Sequence, residues 1–176
     1  MIRLVNPCVE YKKQFQDMVR EYKKYDDIES EGWIEFYQDG LRDFEGYLQE
    51  LRDHSEGKNL PEDWVTCHTF WVVDNHKNVV GVSRVRMNLD NEYLQQCGGH
   101  IGYEIVPSKQ KKGYGTETLR LTLEKAKELG LDKVLITCNF DNIGSIKVIE
   151  NNGGIFENEV WDDFDMIMVR RYWIDI

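Results

Sequence analysis

Apolar positions change their period along the chain, and the changes mark the elements. Ile2 to Val5 predicts a short first strand. Tyr11, Phe15, Met18, Tyr22 and Tyr25 then recur at helical spacing, so a helix is expected from about Val9 to Tyr25. The polar run Asp26 to Gly32 breaks it. Tyr37, Leu41, Phe44, Leu48 and Leu51 form a second stripe and predict a helix from about Trp33 to Asp53. Gly40 and Gly46 weaken that helix by about 1 kcal/mol each relative to alanine. His54 to Asp63, with Gly57 and Pro61, reads as a loop. Trp64 to Val73 is rich in β-branched and aromatic residues, Asp74 to Asn78 is a turn, and Val79 to Met87 is the returning strand.

Asn88 to Cys97 is polar and reads as a loop with some local helix. Gly98 to Val106 is a strand closed by Pro107. The helix from Thr116 to Leu129 puts Leu119, Leu123 and Ala126 on one face and ends at Gly130, a residue suited to the left-handed position after a helix. Val134 to Cys138 is apolar on both alternating faces, the pattern of a covered parallel strand. Strand, helix and strand make one βαβ unit. Asp141 or Asn142 can cap a helix carrying Ile143, Ile146 and Ile149, which Asn152-Gly153-Gly154 ends. Ile155 to Trp161 and Met166 to Ile174 read as a closing antiparallel hairpin. Trp64, Trp71, Trp161 and Trp173 are assigned to the core. With no repeat or linker, residues 1–176 are expected to form one domain, a size that supports one good core.

Charge and composition narrow the function. A hydrophobic content of 41% and a charged content of 31% are those of a water-exposed globular protein. No stretch approaches the ~20 apolar residues of a membrane helix. The net charge of −10 argues against a nucleic-acid partner. Cys8, Cys67, Cys97 and Cys138 are scattered, which gives neither a zinc site nor a disulfide framework and points to a cytoplasmic protein with no metal. A homodimer is compatible with all of this.

The chemistry concentrates in Gln110-Lys111-Lys112-Gly113-Tyr114-Gly115-Thr116, between a strand and a helix. A helix start carries backbone N–H groups with no partner inside the helix, and the helix dipole adds to them. Gly113 and Gly115 would let a phosphate approach the backbone, and Lys111 and Lys112 add positive charge. The Gly-Lys-Ser/Thr end of a Walker A loop is absent, and Thr118 stands where a Rossmann fingerprint needs its third glycine. What does match is Gln-x-x-Gly-x-Gly, as Gln110, Gly113 and Gly115. With the order β α α β β β α β α β β, and with Asn142-x-x-Ser145 ahead of Gly153-Gly154-Ile155-Phe156, the chain resembles the GNAT superfamily of N-acetyltransferases. The motifs cover roughly residues 98–156.

The resemblance implies an α+β fold. Its mixed sheet is mostly antiparallel, with one parallel βαβ unit and helices on both faces. It implies acetyl-CoA as co-substrate and a primary amine of a small molecule or peptide as acceptor, with direct transfer in a ternary complex. By the same resemblance, the backbone of Ile105 and Val106 would meet the pantetheine arm in a gap between two splayed strands. Amides from Lys111 to Thr116 would hold the pyrophosphate, Gln110 would stand where arginine is frequent, and Asn142 and Ser145 would lie near the arm. Asn142 can equally be a plain N-cap. Many relatives carry a tyrosine at the position of Ile149, thought to protonate the leaving thiolate. Ile149 cannot, and Tyr103, Tyr114, Tyr172 and Ser145 are the alternative hydroxyls. This loss also permits a non-catalytic acyl-CoA-binding or sensor domain.

An attacking amine must lose a proton. Glu104 is the first choice of base and His100 the second, both on the strand that feeds the loop. The acceptor segment is expected around Asp26, Asp27, Glu29, Glu31, Trp33, Glu35, Phe36, Tyr37 and Asp39, where acidic and aromatic residues could hold a cation.

Overall fold

The computed structural model describes residues 1–25 and 37–176. The order is β1 (Ile2–Val5), α1 (Lys12–Tyr25), α2 (Phe44–Ser55), β2 (Cys67–Asp74), β3 (Val79–Arg86), β4 (Ile101–Ile105), α3 (Tyr114–Glu128), β5 (Lys133–Asn139), α4 (Ile143–Asn151), β6 (Ile155–Asp162) and β7 (Ile167–Asp175). It is the expected α+β order. The start of the helix expected at Trp33, and most of the acidic and aromatic segment before Tyr37, lie outside the described residues.

The strands form two antiparallel half-sheets, β1-β2-β3-β4 and β5-β7-β6. They meet where β4 begins. There the His100 N–H donates to the Leu135 carbonyl at 2.8 Å. His100 lies beside Leu135, and Tyr103 is close enough to Cys138 to feel its charge. The same sequence offset at both points means that β5 runs parallel to β4, with α3 as the crossover. The hydrogen-bond ladder of β5, however, is with β7, from Lys133 opposite Asp175 to Asn139 opposite Val169. Between β4 and β5 the described residues form no ladder, so the edges stand apart beyond the junction.

Each face of the sheet is covered by a helix pair. Phe15, Met18 and Tyr22 of α1 and Tyr47, Leu48 and Leu51 of α2 pack on Trp71 and Val82. Leu119 and Ala126 of α3 and Ile146 and Ile149 of α4 pack with Phe70, Val85, Ile101 and Ile136. Phe70 and Trp71 are neighbours on β2, point to opposite faces of the strand and enter different clusters.

Several boundaries move for local reasons. Val9–Tyr11 is a single 3₁₀ turn before α1. The expected second helix is interrupted: residues 37–42 are helical, and Asp43 then turns extended and caps α2 by accepting the Gly46 N–H at 3.0 Å. The loop from Asn88 ends in a π-helical turn, Leu94–Gly98. Arg171 of β7 clamps it by donating to the carbonyls of Gln95 and Gln96. Two of the tryptophans assigned to the core are exposed instead, Trp64 at 46% and Trp161 at 49%. Trp161 sits on β6, an edge strand whose residues are nearly all exposed.

Candidate cofactor site

The register Gly81↔Ile105, Val82↔Glu104 and Ser83↔Tyr103 fixes where the β4 backbone points. The Val106 N–H donates to the Val80 carbonyl at 2.9 Å. Antiparallel pairs alternate, so Gly102, Glu104 and Val106 turn their amides toward β3, and Tyr103 and Ile105 turn theirs toward the gap with β5. The expectation for Val106 is therefore corrected. Its N–H serves Val80, and its carbonyl accepts the Lys109 N–H at 2.9 Å. Ile105 is on the right edge, but its carbonyl already accepts from Gln110 Nε2 at 3.1 Å. Gln110 thus ties the loop to the strand end.

After Gln110 the chain takes two left-handed residues, Lys111 (φ 56°) and Gly113 (φ 81°), and α3 starts at Tyr114 rather than at the expected Thr116. A left-handed residue alternating with ordinary ones folds successive amides into a concavity. Among the described residues, the N–H groups of Lys111, Lys112, Gly113, Tyr114, Gly115 and Thr116 donate to no protein acceptor, and the next bond is from the Glu117 N–H to the Gly113 carbonyl at 3.2 Å. A Cβ added at Gly113 would meet nothing within 4 Å, whereas one at Gly115 would lie 3.2 Å from Val148 Cγ2 and 3.9 Å from Tyr103 Cε2. Gly113 therefore faces open space, and Gly115 is there to let α3 lie close to α4 and β4.

Residues distant in sequence brace this loop. Glu21 of α1 accepts the Ser108 N–H at 2.9 Å. Lys109 Nζ lies 3.5 Å from the buried Asp74 carboxylate and over the Tyr114 ring. Lys112 folds back on the Ser108 carbonyl at 2.8 Å, which leaves Lys111 as the outward cation. Asn152 Nδ2 donates to the carbonyls of Thr116 (3.1 Å) and Val148 (2.8 Å), pinning the first turn of α3 to α4. The braces from Glu21, Asp74 and Asn152 could not be read from the loop motif, because each joins elements whose adjacency only the fold creates.

On α4, Asn142 is an N-cap whose Oδ1 accepts the Ser145 N–H at 2.9 Å. Ile149 is fully buried, as its apolar spacing predicts. The Tyr103 hydroxyl is buried beside Ser145 without a hydrogen bond of good geometry. Burial pushes its phenol up and Ser145 pulls it back. Tyr172 is buried against Phe156. Burial holds the Cys138 thiol at about 11.

Both expected bases have other employment. His100 Nδ1 accepts the Leu135 N–H at 2.9 Å, so its lone pair is occupied and its proton sits on Nε2. Burial, with the Arg86 charge second, holds its pKa below the ordinary histidine value. Glu104 is gripped by Arg84, Nη1 to Oε2 at 3.0 Å and Nη2 to Oε1 at 3.2 Å, and by the Tyr37 hydroxyl. Burial pushes its carboxyl up. A two-pronged guanidinium opposes that push. Glu104 is a counter-ion on the α1–α2 face, not a free base. A cavity of about 230 Å³ opens near the loop, between α1 and β3, lined by Gln14, Asp17, Met18, Glu21, Val80 and Lys109. It does not include the row of free amides. Among the described residues no cluster of His, Cys, Asp and Glu could hold a metal ion, and no helix is long and apolar enough to cross a membrane.

Residues 12–155 match the family described as the acetyltransferase (GNAT) domain, and the chain belongs to that family. It is 32% identical over 93 residues to an uncharacterized N-acetyltransferase, YnaD, of Bacillus subtilis; the match spans 47% of this chain and 55% of that protein. Solved structures share the fold, among them these two. One is the microcin C7 self-immunity acetyltransferase MccE with acetyl-CoA and AMP (TM-score 0.69, 16% identity, 99% of this chain and 92% of that one). The other is Mycobacterium smegmatis RimJ with CoA-disulfide (TM-score 0.71, 14% identity, 99% and 81%).

Proposed function

We propose that this protein transfers an acetyl group from acetyl-CoA to a primary amine. The observation that carries the reading is the row of partnerless amides from Lys111 to Thr116, at the start of α3 and beside the open face of Gly113. Six adjacent donors, a helix dipole and Lys111 are matched by a pyrophosphate better than by any side chain of this protein. The gap between β4 and β5 opens toward that loop from the His100–Leu135 junction, and the edge amides of Tyr103 and Ile105 suit the amide-bearing pantetheine arm. When bound, acetyl-CoA supplies an activated acetyl thioester. The chain's own part is to hold the phosphates, fix the arm in the gap and present backbone N–H groups to developing negative charge. Four free cysteines support a reducing, cytoplasmic setting.

A second reading, coenzyme binding without turnover, is favoured by Ile149, a buried core residue with no proton to give. Two measurements decide. Acetyl-CoA at ~100 times its dissociation constant should add ~2.7 kcal/mol to stability, and thermal unfolding and calorimetry read it. Neither a shift nor binding heat would remove both readings. Acetyl-CoA consumption with a panel of amines then separates enzyme from binder.

A further inference from the structure

The two half-sheets are joined at one short stretch of chain. Thr137 Oγ1 donates to the Cys97 carbonyl at 2.5 Å. A Cβ at Gly99 would stand 2.7 Å from the Leu135 carbonyl oxygen, so only glycine lets the strands approach there. Next, His100 grips Leu135 twice: its backbone N–H donates to the Leu135 carbonyl at 2.8 Å, and its ring Nδ1 accepts the Leu135 N–H at 2.9 Å. The imidazole does the work of a missing backbone carbonyl. From that point β4 and β5 separate.

We infer that His100 is a positioning residue for the coenzyme: its imidazole is the clasp at the vertex of the β4–β5 gap and sets how far that gap opens. The inference rests on the reading that the pantetheine arm lies in the gap. A ring nitrogen that accepts an N–H cannot also carry a proton. Protonating Nδ1 sets two donors face to face and releases the ring from Leu135. Of the groups packed around the ring, Arg86 of β3 carries charge and opposes protonation. Cys97 precedes the junction, Leu135 and Trp173 are neutral, and Lys133 lies over the outer Trp173 ring. The clasp is closed in neutral solution and opens in acid.

Asparagine is the diagnostic substitute. Its Oδ1 hangs from Cγ as Nδ1 does, can accept the Leu135 N–H, and does not titrate. Leucine fills similar space and accepts nothing. Dissociation constants for coenzyme A are measured by calorimetry from pH 8 to pH 4.5 on wild type, His100→Asn and His100→Leu. At pH 8, His100→Asn should bind within about threefold of wild type, and His100→Leu at least tenfold more weakly. Toward pH 4.5 wild type should lose at least tenfold relative to His100→Asn. Titration of the ligand's own phosphate is common to both proteins and cancels in that ratio. If His100→Leu binds like wild type at pH 8, or if wild type and His100→Asn keep a constant ratio over the whole range, the clasp does not set the gap. Should His100→Leu fail to fold, the Asn-to-wild-type ratio still decides. If wild type binds no coenzyme at any pH, the acetyl-CoA reading falls first, and this inference with it.

Discussion

Arg84 and Glu104 stand diagonally across the β3–β4 ladder, Arg84 opposite Gly102 and Glu104 opposite Val82, and share a two-pronged ion pair, with 4% and 10% of their side chains exposed. Arg84 Nη2 also donates to the Tyr37 hydroxyl at 2.6 Å. Breaking a buried pair by removing one charge strands the other, at a typical cost of ~3–5 kcal/mol. Glu104→Gln is therefore expected to lower stability by about that much, on the order of 10 °C in melting temperature for a chain of this size. Chemical denaturation reads it directly. Arg84→Met with Glu104→Leu should cost less than either charge-stranding single change. A Glu104→Gln variant as stable as wild type but slowed by ~10²-fold or more would restore Glu104 as the base.

The ion pair shows where the sequence was legible and where it was not. Periodicity gave every strand and helix pair, and Gln110, Gly113 and Gly115 gave the loop. Those signals are local, because a helix face or a glycine turn is written in neighbouring residues. Glu104 was correctly seen to lie on the strand feeding the loop, and His100 stands just before that strand begins. Their tasks depend on Arg84 and Leu135, partners 20 and 35 residues away. Pairing at that distance leaves no periodic trace, so a paired carboxylate and a free one read alike. The Asp43 break failed for a related reason: the stripe of Tyr37, Leu41 and Phe44 continues through a cap that lies on the polar face.

Acid should weaken the fold before it reaches the carboxylates. Burial holds both His68 and His100 below the ordinary histidine value. The unfolded chain then binds more protons than the folded one as the pH falls below ~6.5. Stability from these two groups is complete above that value and is lost progressively as pH drops toward their folded pKa values. Denaturant midpoints measured from pH 8 to pH 5 should fall on the acid side, and His100→Asn should flatten part of the slope. A flat profile in wild type would contradict the burial of both rings.

Asn152 is expected to matter to the loop from the far end of α4. Its amide joins Val148 and Thr116, so Asn152→Ala removes two hydrogen bonds and frees the first turn of α3. At ~1 kcal/mol per bond, a loss of about 2 kcal/mol in stability is expected. The coenzyme should also bind several-fold more weakly, since its amides sit on that turn. Unchanged affinity at reduced stability would mean that the loop holds its shape without the pin.

The two loop glycines should separate cleanly. A side chain at Gly113 projects into open space but must hold φ at 81°, which costs a non-glycine residue ~1–2 kcal/mol. Gly113→Ala should therefore fold with that modest penalty, and it should bind coenzyme A at least tenfold more weakly, because its methyl group enters the space the free amides face. Gly115→Ala meets Val148 at 3.2 Å and Tyr103 at 3.9 Å, so its cost falls on the packing of α3 against α4 and β4. That variant should lose stability more than affinity. Lys127→Ala, on the exposed side of the same helix, should change neither. Calorimetric titration beside denaturant unfolding on all three variants gives the ratios. If Gly115→Ala abolishes binding while Gly113→Ala leaves it intact, the phosphates lie against the second glycine, and the concavity has been placed one turn too early.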